Sequence, residues 1–504
     1  MQSLVFDMGA ETKRATRQLF IGGEWVATEA FLEVMNPATG TIAGRVAAGA
    51  PDHAEAALAA AHAATRRMRE TTIVQRARWL EAIADGLLER EDELAETIVH
   101  EAGKPVTSAR GEVRAAAERF RRGAEEARSL RGEFLEGSTR GHEGWQAIVK
   151  PQPVGTVLCI TPYNYPLSTT ALHVAPALAA GNSVVVKPAS ETPVSAVILT
   201  DVIANIDLPD GAFNLVTGRS RDIGDVLASD DRVDAIAMTG SSAAGKRVAQ
   251  QSGMVRLHLE LGGNAPAVVF PDADLAVAAA ACARGALKYA GQRCSAISRV
   301  LAHDSVHDEL VEAIDERMDN WVQGDLFDGD TDLGPLISEQ QAEWVTELVV
   351  DAIDSGATLV RGGHRFTSAD ELQEMSDAPA ESISDNEGRW FEPTLLADVP
   401  AEARIVNEEQ FGPVISVTPF AEEAHALDMI NGSDLGLDAC VFTDDYDRAL
   451  SLADRIEAGA VSINRPPSHG IGDIPFGGTK DSGIGREGIG YSIEAFTTTK
   501  SVVL

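Results

Sequence analysis

The sequence predicts an α/β protein built on parallel sheets, with a helical N-terminal third. Three observations carry this. Between residues 155 and 238, short apolar, β-branched runs alternate with helical stretches. After Gly262 and Gly263 the alternation resumes, through residue 322. Before it, over residues 51–135, apolar residues recur at helical spacing. Strands alternating with helices read as βαβ units, whose strands pair in parallel.

The elements follow in order. Asp52 is the expected N-cap of an Ala-rich helix over 52–68. Helical periodicity continues over 73–88 and 91–100, and 111–130 is amphipathic and rich in Arg. Strand 155–162 (GTVLCITP) then precedes helix 167–180, and strand 183–187 (SVVVK) precedes helix 192–206. Strands 213–216 and 235–238 complete the first unit. The second unit reads as strand 265–270, helix 273–290, strand 299–302 and helix 307–322. Residues 365–389 are polar and acidic and predict a long surface hairpin or insertion. The tail is strand-like and apolar at its end, so it needs a partner within or between subunits. No internal repeat of 20–50 residues is present.

Length and composition bound the function. The 504 residues suggest about three domains. Hydrophobic residues at 44% and charged residues at 24% exclude a disordered, collagenous or disulfide-scaffold chain. The net charge of −35, with pI near 4.6, argues against nucleic acid and anionic membrane as partners, since no basic patch offsets it. The cations comprise only 8 Lys against 34 Arg. An acid-rich, Lys-poor chain reads as salt-adapted, with a GC-rich genome as the plainer explanation. Four cysteines (Cys159, Cys282, Cys294, Cys440) make neither a disulfide framework nor a zinc site. The first 20 residues lack a signal-peptide core, and no window is long and apolar enough to span a bilayer. A reduced, cytoplasmic protein is the expectation.

Two motifs mislead. Gly483, Gly485 and Gly488 match GxGxxG, but only 16 residues follow, too few for a dinucleotide-binding βαβ unit. This reads as a turn-rich loop. Gly240 to Lys246 nearly matches a P-loop, but Arg247 stands where Ser or Thr must hold magnesium. What remains is a strand, a Gly240-Ser241 turn and a helix N-terminus able to hold phosphate, or a plain βα turn.

Three cysteines read as small buried hydrophobes. Cys294 differs: it sits in the polar segment GQRCSA, beside Arg293, whose charge favours thiolate. Taken alone it is equally a structural cysteine. Glu260, ending an apolar strand before Gly262 and Gly263, is a candidate general base or a strand-end ion-pair partner. Asn164, in TPYNYP, can donate to a developing oxyanion or serve only as a turn residue.

TPYNYP, VVVKPASETP, FNLVTG, TGSSAAG, LELGGNAP, GQRCSA, EEQFGPV and PFGGTKDSGIGRE occur in this order. Together they resemble the NAD(P)-dependent aldehyde dehydrogenase superfamily, from about Leu19 to Leu504. The resemblance implies a Rossmann-like cofactor domain (19–138 and 154–262), an α/β catalytic domain (263–475) and a small β oligomerisation flap (139–153 and 488–504). It implies Cys294 as nucleophile, Asn164 and the Cys294 N–H as oxyanion donors, and Glu260 as the base that hydrolyses the thioester. Thr161, Pro162, Tyr163, Lys187, Ser190, Gly218, Gly240, Ser241, Leu261, Glu409 and Phe411 are the implied cofactor-binding residues. His173 stands where many members have Lys, opposite Glu487, and either relays protons or packs in its helix.

Members that prefer NAD carry Glu where this chain has Ser190, so NADP is the expected cofactor and NAD a possible one, with Glu191 next door as a counter-indication. GQRC, Tyr165 and the ending GYSIEAFTTTKSVVL are most similar to the non-phosphorylating glyceraldehyde-3-phosphate dehydrogenases. Tyr165, Arg293 and His469 are then the implied substrate contacts. His469 replaces an Arg of that branch, and its Arg on the early helix does not align with Arg114. Lactaldehyde or glyceraldehyde is the alternative substrate. GQRC also occurs in CoA-acylating relatives, which lack the glutamate seen here at Glu260. A non-enzymatic binding protein on this fold is expected to lose Cys294 or Glu260, and both are present. No metal is implied, and the family forms homodimers or homotetramers.

Overall fold

The structure, a computed structural model, describes residues 17–374, 388–468, 470, 472 and 474–504. His469, residues 375–387 of the acidic stretch and the segment before Arg17 lie outside the described residues.

Four helices open the main body: α1 (Pro51–Glu70), α2 (Ile73–Glu89), α3 (Glu91–Ala102) and α4 (Val106–Ser129). Asp52 does not cap α1. Ala50 is the N-cap, and Pro51 at the first helical position fixes φ where no N–H bond is lost. Further on come α5 (Pro166–Ala180), α6 (Val194–Ala204), α7 (Ser220–Ser229) and α8 (Ser242–Gln251). They flank an eight-stranded sheet. Its parallel centre runs in the order Phe213–Leu215, Ser183–Lys187, Thr156–Ile160, Ala235–Thr239, Arg256–Glu260. Leu19–Ile21 with Glu24–Val26, and Gly483–Ile484, close its edges antiparallel. The chain order of the parallel strands reverses between Thr156–Ile160 and Ala235–Thr239. Such a switch point opens a crevice at the carboxyl ends of the strands.

A second sheet has seven strands. Its central strands, Val414–Phe420, Ile297–His303, Ala265–Val269, Asp438–Phe442 and Ala460–Ile463, are again parallel with the same reversal. Thus two units share an architecture that no short sequence repeat announces. Helices α9 (Leu275–Leu287) and α10 (His307–Met318) pack on this sheet. Both end earlier than expected. After α9 the chain enters a tight turn, Lys288–Gly291, with Tyr289 and Ala290 left-handed.

The apolar faces of α2 to α6 meet one side of the first sheet, while α1, α7 and α8 cover the other. The predicted flap is a three-stranded antiparallel sheet ordered Thr497–Val503, Gln146–Pro153, Glu133–Glu136. Its last strand precedes the expected boundary at 139, because Phe134 pairs in register with Ile148. At the base of the acidic stretch, Arg365–Phe366 pairs antiparallel with Trp390–Phe391. No helix among the described residues is long and apolar enough to cross a membrane.

Candidate active site

Most of the implied site residues stand at the carboxyl ends of the first sheet. Thr161 to Tyr165 follow one central strand; Gly240 and Ser241 follow its neighbour; Glu260 ends the next. The Gly262-Gly263 turn carries the chain from this sheet into the second. A Cβ on Gly263 would lie 2.1 Å from the Cys294 carbonyl oxygen, so only glycine lets the two segments meet.

Cys294 lies half-buried in the loop after the left-handed turn. Asn164 reaches the same loop two residues earlier, its amide donating to the Gln292 carbonyl at 2.9 Å. The amide's second N–H is not used by that bond. Glu260 is 1% exposed, and its Oε1 has no hydrogen-bond partner among the described residues. Burial and the neighbouring Glu487 carboxylate push the Glu260 carboxyl well above the usual range. Arg293 favours the Cys294 thiolate as expected, but larger effects outweigh it. Burial, then the charge and hydrogen bonding of Glu260, hold the thiol well above its usual value, and Arg293 only partly offsets them.

A second polar chain lies behind Glu260. The Thr239 hydroxyl donates to Glu487 Oε1 at 3.3 Å and lies 3.0 Å from His173 Nε2. His173 Nδ1 is 3.6 Å from the same carboxylate oxygen. Burial pushes Glu487 up to about 7 and His173 down to about 3, which leaves the imidazole neutral at pH 7.

The implied cofactor residues line the crevice. Lys187 is 2% exposed, and burial lowers its ammonium to about 8. It donates to the Pro188 carbonyl at 3.2 Å. The Thr161 N–H donates to the Lys187 carbonyl at 3.1 Å, and the Ser190 hydroxyl donates to the Gly218 carbonyl at 3.2 Å. Ser241 is the N-cap of α8, accepting from the Ala244 N–H at 3.3 Å. Leu261 packs on Gly245 of the same helix, where a Cβ would meet its Cδ2 at 2.4 Å. Across the crevice, Glu409 Oε1 accepts the Gly263 N–H at 2.9 Å, and burial raises its carboxyl to about 7. Phe411 is left-handed (φ 49°) and meets the Tyr163 ring edge to face at 5.9 Å. Pro162, between Thr161 and Tyr163 in sequence, is partly exposed. A helix N-terminus, a buried ammonium with spare donors and a carboxylate suit the diphosphate and ribose hydroxyls of a dinucleotide.

The substrate side departs from expectation. Arg293 reaches back, its Nη1 3.5 Å from the Gly285 carbonyl. Arg114 is exposed and paired with Glu91, away from the site. Arg119, which the sequence reading missed, lies deeper in α4. It donates to the Ser168 carbonyl, and its Nε has no partner among the described residues. The charges of both Arg293 and Arg119 act on Tyr165, and Arg119 also acts on Glu487. Its spacing was the available signal: Ala116 and Phe120 mark the buried face of α4, and Arg119 lies beside them.

Comparison with known proteins identifies the family. The family model described as "Aldehyde dehydrogenase family" matches residues 25–502. An NADP-dependent glyceraldehyde-3-phosphate dehydrogenase of Streptococcus equinus is 36% identical over 486 residues, 96% of this chain and 98% of that one. A 3-sulfolactaldehyde dehydrogenase of Priestia aryabhattai is 34% identical, over 96% and 97% of the two chains. Among solved structures, NADP-dependent glyceraldehyde-3-phosphate dehydrogenase of Bacillus halodurans C-125, complexed with NADP, superposes with a TM-score of 0.91. It is 36% identical and covers 97% of this chain and 99% of its own.

Proposed function

The chain belongs to the aldehyde dehydrogenase family and is an NAD(P)-dependent oxidoreductase; from that premise we propose that it oxidises a short anionic aldehyde, glyceraldehyde 3-phosphate first, to the carboxylic acid by hydrolysis. The observation that carries the substrate class is Arg119: it donates to the Ser168 carbonyl in the first turn of α5, just after Tyr165, and its buried Nε has no partner among the described residues. In a chain of net charge −35, a guanidinium with an unused buried donor close to Tyr165 suits an anion.

The Cys294 sulfur, once its proton is lost, adds to the aldehyde carbon. The free N–H of Asn164 and the Cys294 backbone N–H hold the oxygen that becomes negative. The bound dinucleotide supplies the hydride acceptor. Glu260 then takes a proton from water, and the hydroxide cleaves the Cys294 thioester to give acid and free thiol. Glu487 and Thr239 form a route by which that proton leaves. Lys187, Ser190 and the α8 N-terminus hold the adenosine side of the dinucleotide, and Glu409 the nicotinamide ribose. Ser190 presents no charge to a 2′-phosphate and Lys187 lies close, so NADP is preferred.

The flap joins subunits into a homodimer or homotetramer. Phe134, Trp145, Val502, Val503 and Leu504 are exposed on it, more apolar surface than a lone sheet leaves to water. The excess of carboxylates suits a protein that works in concentrated salt.

A second reading, oxidation of neutral lactaldehyde or glyceraldehyde, is favoured by Arg293 turning toward Gly285. Turnover of a panel of phosphorylated, carboxylated and neutral three- and four-carbon aldehydes, with each cofactor, separates the two. A kcat/KM highest for a neutral aldehyde overturns the first.

A further inference from the structure

Lys104 is 1% exposed, directly after the left-handed Gly103 that ends α3. Its ammonium pairs with the equally buried Glu112 of α4. It also lies 3.5 Å from the centre of the Tyr165 ring and 4.4 Å from that of Tyr289. The two rings meet edge to face, 5.9 Å apart. One cation thus joins two aromatic rings from distant parts of the chain.

The rings belong to the two segments that flank the reacting centre. Tyr165 follows Asn164 and is the N-cap of α5. Tyr289 opens the left-handed turn that leads to Cys294. Further bonds fasten one segment to the cation's partner Glu112 and the other to the chain just before Lys104. Glu112 Oε1 accepts the N–H groups of Leu167 and Ser168 at 3.0 and 3.1 Å, which fixes the first turn of α5. The Tyr289 hydroxyl donates to the Ala102 carbonyl at 2.7 Å, two residues before Lys104. Left-handed backbone at Tyr289 and Ala290 in succession is strained, and persists only where surroundings hold it.

A buried ion pair is weak evidence for stability, since apolar residues of the same volume would often serve as well. What this one does that an apolar pair would not is place a charge against two ring faces at once. We propose that Lys104 is a positioning residue for the oxyanion pocket: held by Glu112, it pins Tyr165 to Tyr289 and so sets the spacing between the Asn164 amide and the Cys294 N–H. The inference rests on the proposed role of those two groups as oxyanion donors.

Lys104→Met combined with Glu112→Gln tests it, because the pair then leaves no buried charge unpaired and the new amide oxygen still accepts from α5. First-turnover rates with propanal and with glyceraldehyde 3-phosphate, NADP⁺ affinity and Cys294 alkylation by iodoacetamide are compared with wild type. The expected result is a fall of about 100-fold in first-turnover rate with both aldehydes. NADP⁺ affinity and alkylation stay within about twofold, since cofactor and nucleophile are untouched. An unchanged rate per alkylatable Cys294 overturns the proposal, as does a loss confined to KM for the phosphorylated aldehyde. Should the double variant not fold, Tyr289→Leu keeps the ion pair and must show the same rate loss; a normal rate overturns the proposal equally. Failure of the wild-type protein to oxidise any aldehyde would instead refute the parent reading.

Discussion

Cys294 and Glu260 share a buried pocket: burial first, then the charge and hydrogen bonding of Glu260, raise the thiol's proton affinity. The resting pair therefore keeps the nucleophile capped until a proton leaves, and turnover should climb with pH through the alkaline range. Glu260→Gln removes the group that ionises beside the thiol. Alkylation of Cys294 should then quicken relative to wild type in the alkaline range, where Glu260 ionises, while turnover gives one burst of reduced dinucleotide and stalls as thioester. Cys294→Ala should abolish turnover and leave NADP⁺ binding intact. Stopped-flow absorbance and a dinucleotide titration check both, and a Cys294→Ala protein of normal kcat would refute the assignment.

Cofactor preference should itself depend on pH. Burial lowers Lys187 to about 8. Below that pH the ammonium is charged and attracts a 2′-phosphate; above it the charge and the attraction are lost. KM for NADP⁺ should therefore rise above pH 8 while KM for NAD⁺ rises less. Ser190→Glu should shift the ratio of kcat/KM toward NAD⁺ by about 1–3 kcal/mol. Parallel KM profiles for the two cofactors would show that Lys187 does not meet the phosphate.

Arg119 and Arg293 should separate by substrate. If Arg119 grips the anionic group, Arg119→Ala should cost about 2–5 kcal/mol in kcat/KM for glyceraldehyde 3-phosphate and far less for propanal. Arg293→Ala should show the same bias only if its guanidinium leaves Gly285 when substrate binds. Equal losses on both aldehydes would make Arg293 a support of the nucleophile loop and shift the second reading forward. Steady-state kinetics with the two substrates decide it.

The sheet alternation was legible because βαβ strands are near-continuous apolar runs bounded by glycine and helix caps. The expected strand 183–187 coincides with Ser183–Lys187, and helix 167–180 begins one residue earlier, at Pro166. Helix ends were less legible. The end of α9 is set by contacts of Tyr289 with Ala102 and Lys104, far away in sequence, and local periodicity carries no trace of such contacts. The same holds for the site. Cys294, Glu260 and Asn164 stand in motifs, so their residue types were visible. The proton affinity of Cys294 was misjudged, because the adjacent Arg293 is visible in sequence and the facing Glu260 is not. Arg119 stood out less because it lies on an Arg-rich helix, where its place beside the buried Ala116 and Phe120 was the signal and the packing of α4 against α5 makes it plain.

Salt should govern both assembly and activity. The chain carries 77 carboxylates against 42 Lys and Arg. Most ion pairs among the described residues are surface ones, such as Arg45 with Glu33 and Arg66 with Glu70, which add little stability singly. The unpaired excess repels across the surface, and in dilute buffer the screening length is about 30 Å at 0.01 M, so the whole molecule feels it. At molar salt that length falls to about 3 Å, and apolar burial is left unopposed. The flap is where this should appear first, because its exposed Phe134, Trp145 and Leu504 gain burial only on association. Activity and sedimentation mass should therefore rise together between about 0.01 M and molar KCl. A Val502→Asp variant, placing one more charge on that sheet, should need more salt to reach the same mass. A protein equally assembled and equally active at both ends of the range would show that its acidity is incidental to its working conditions.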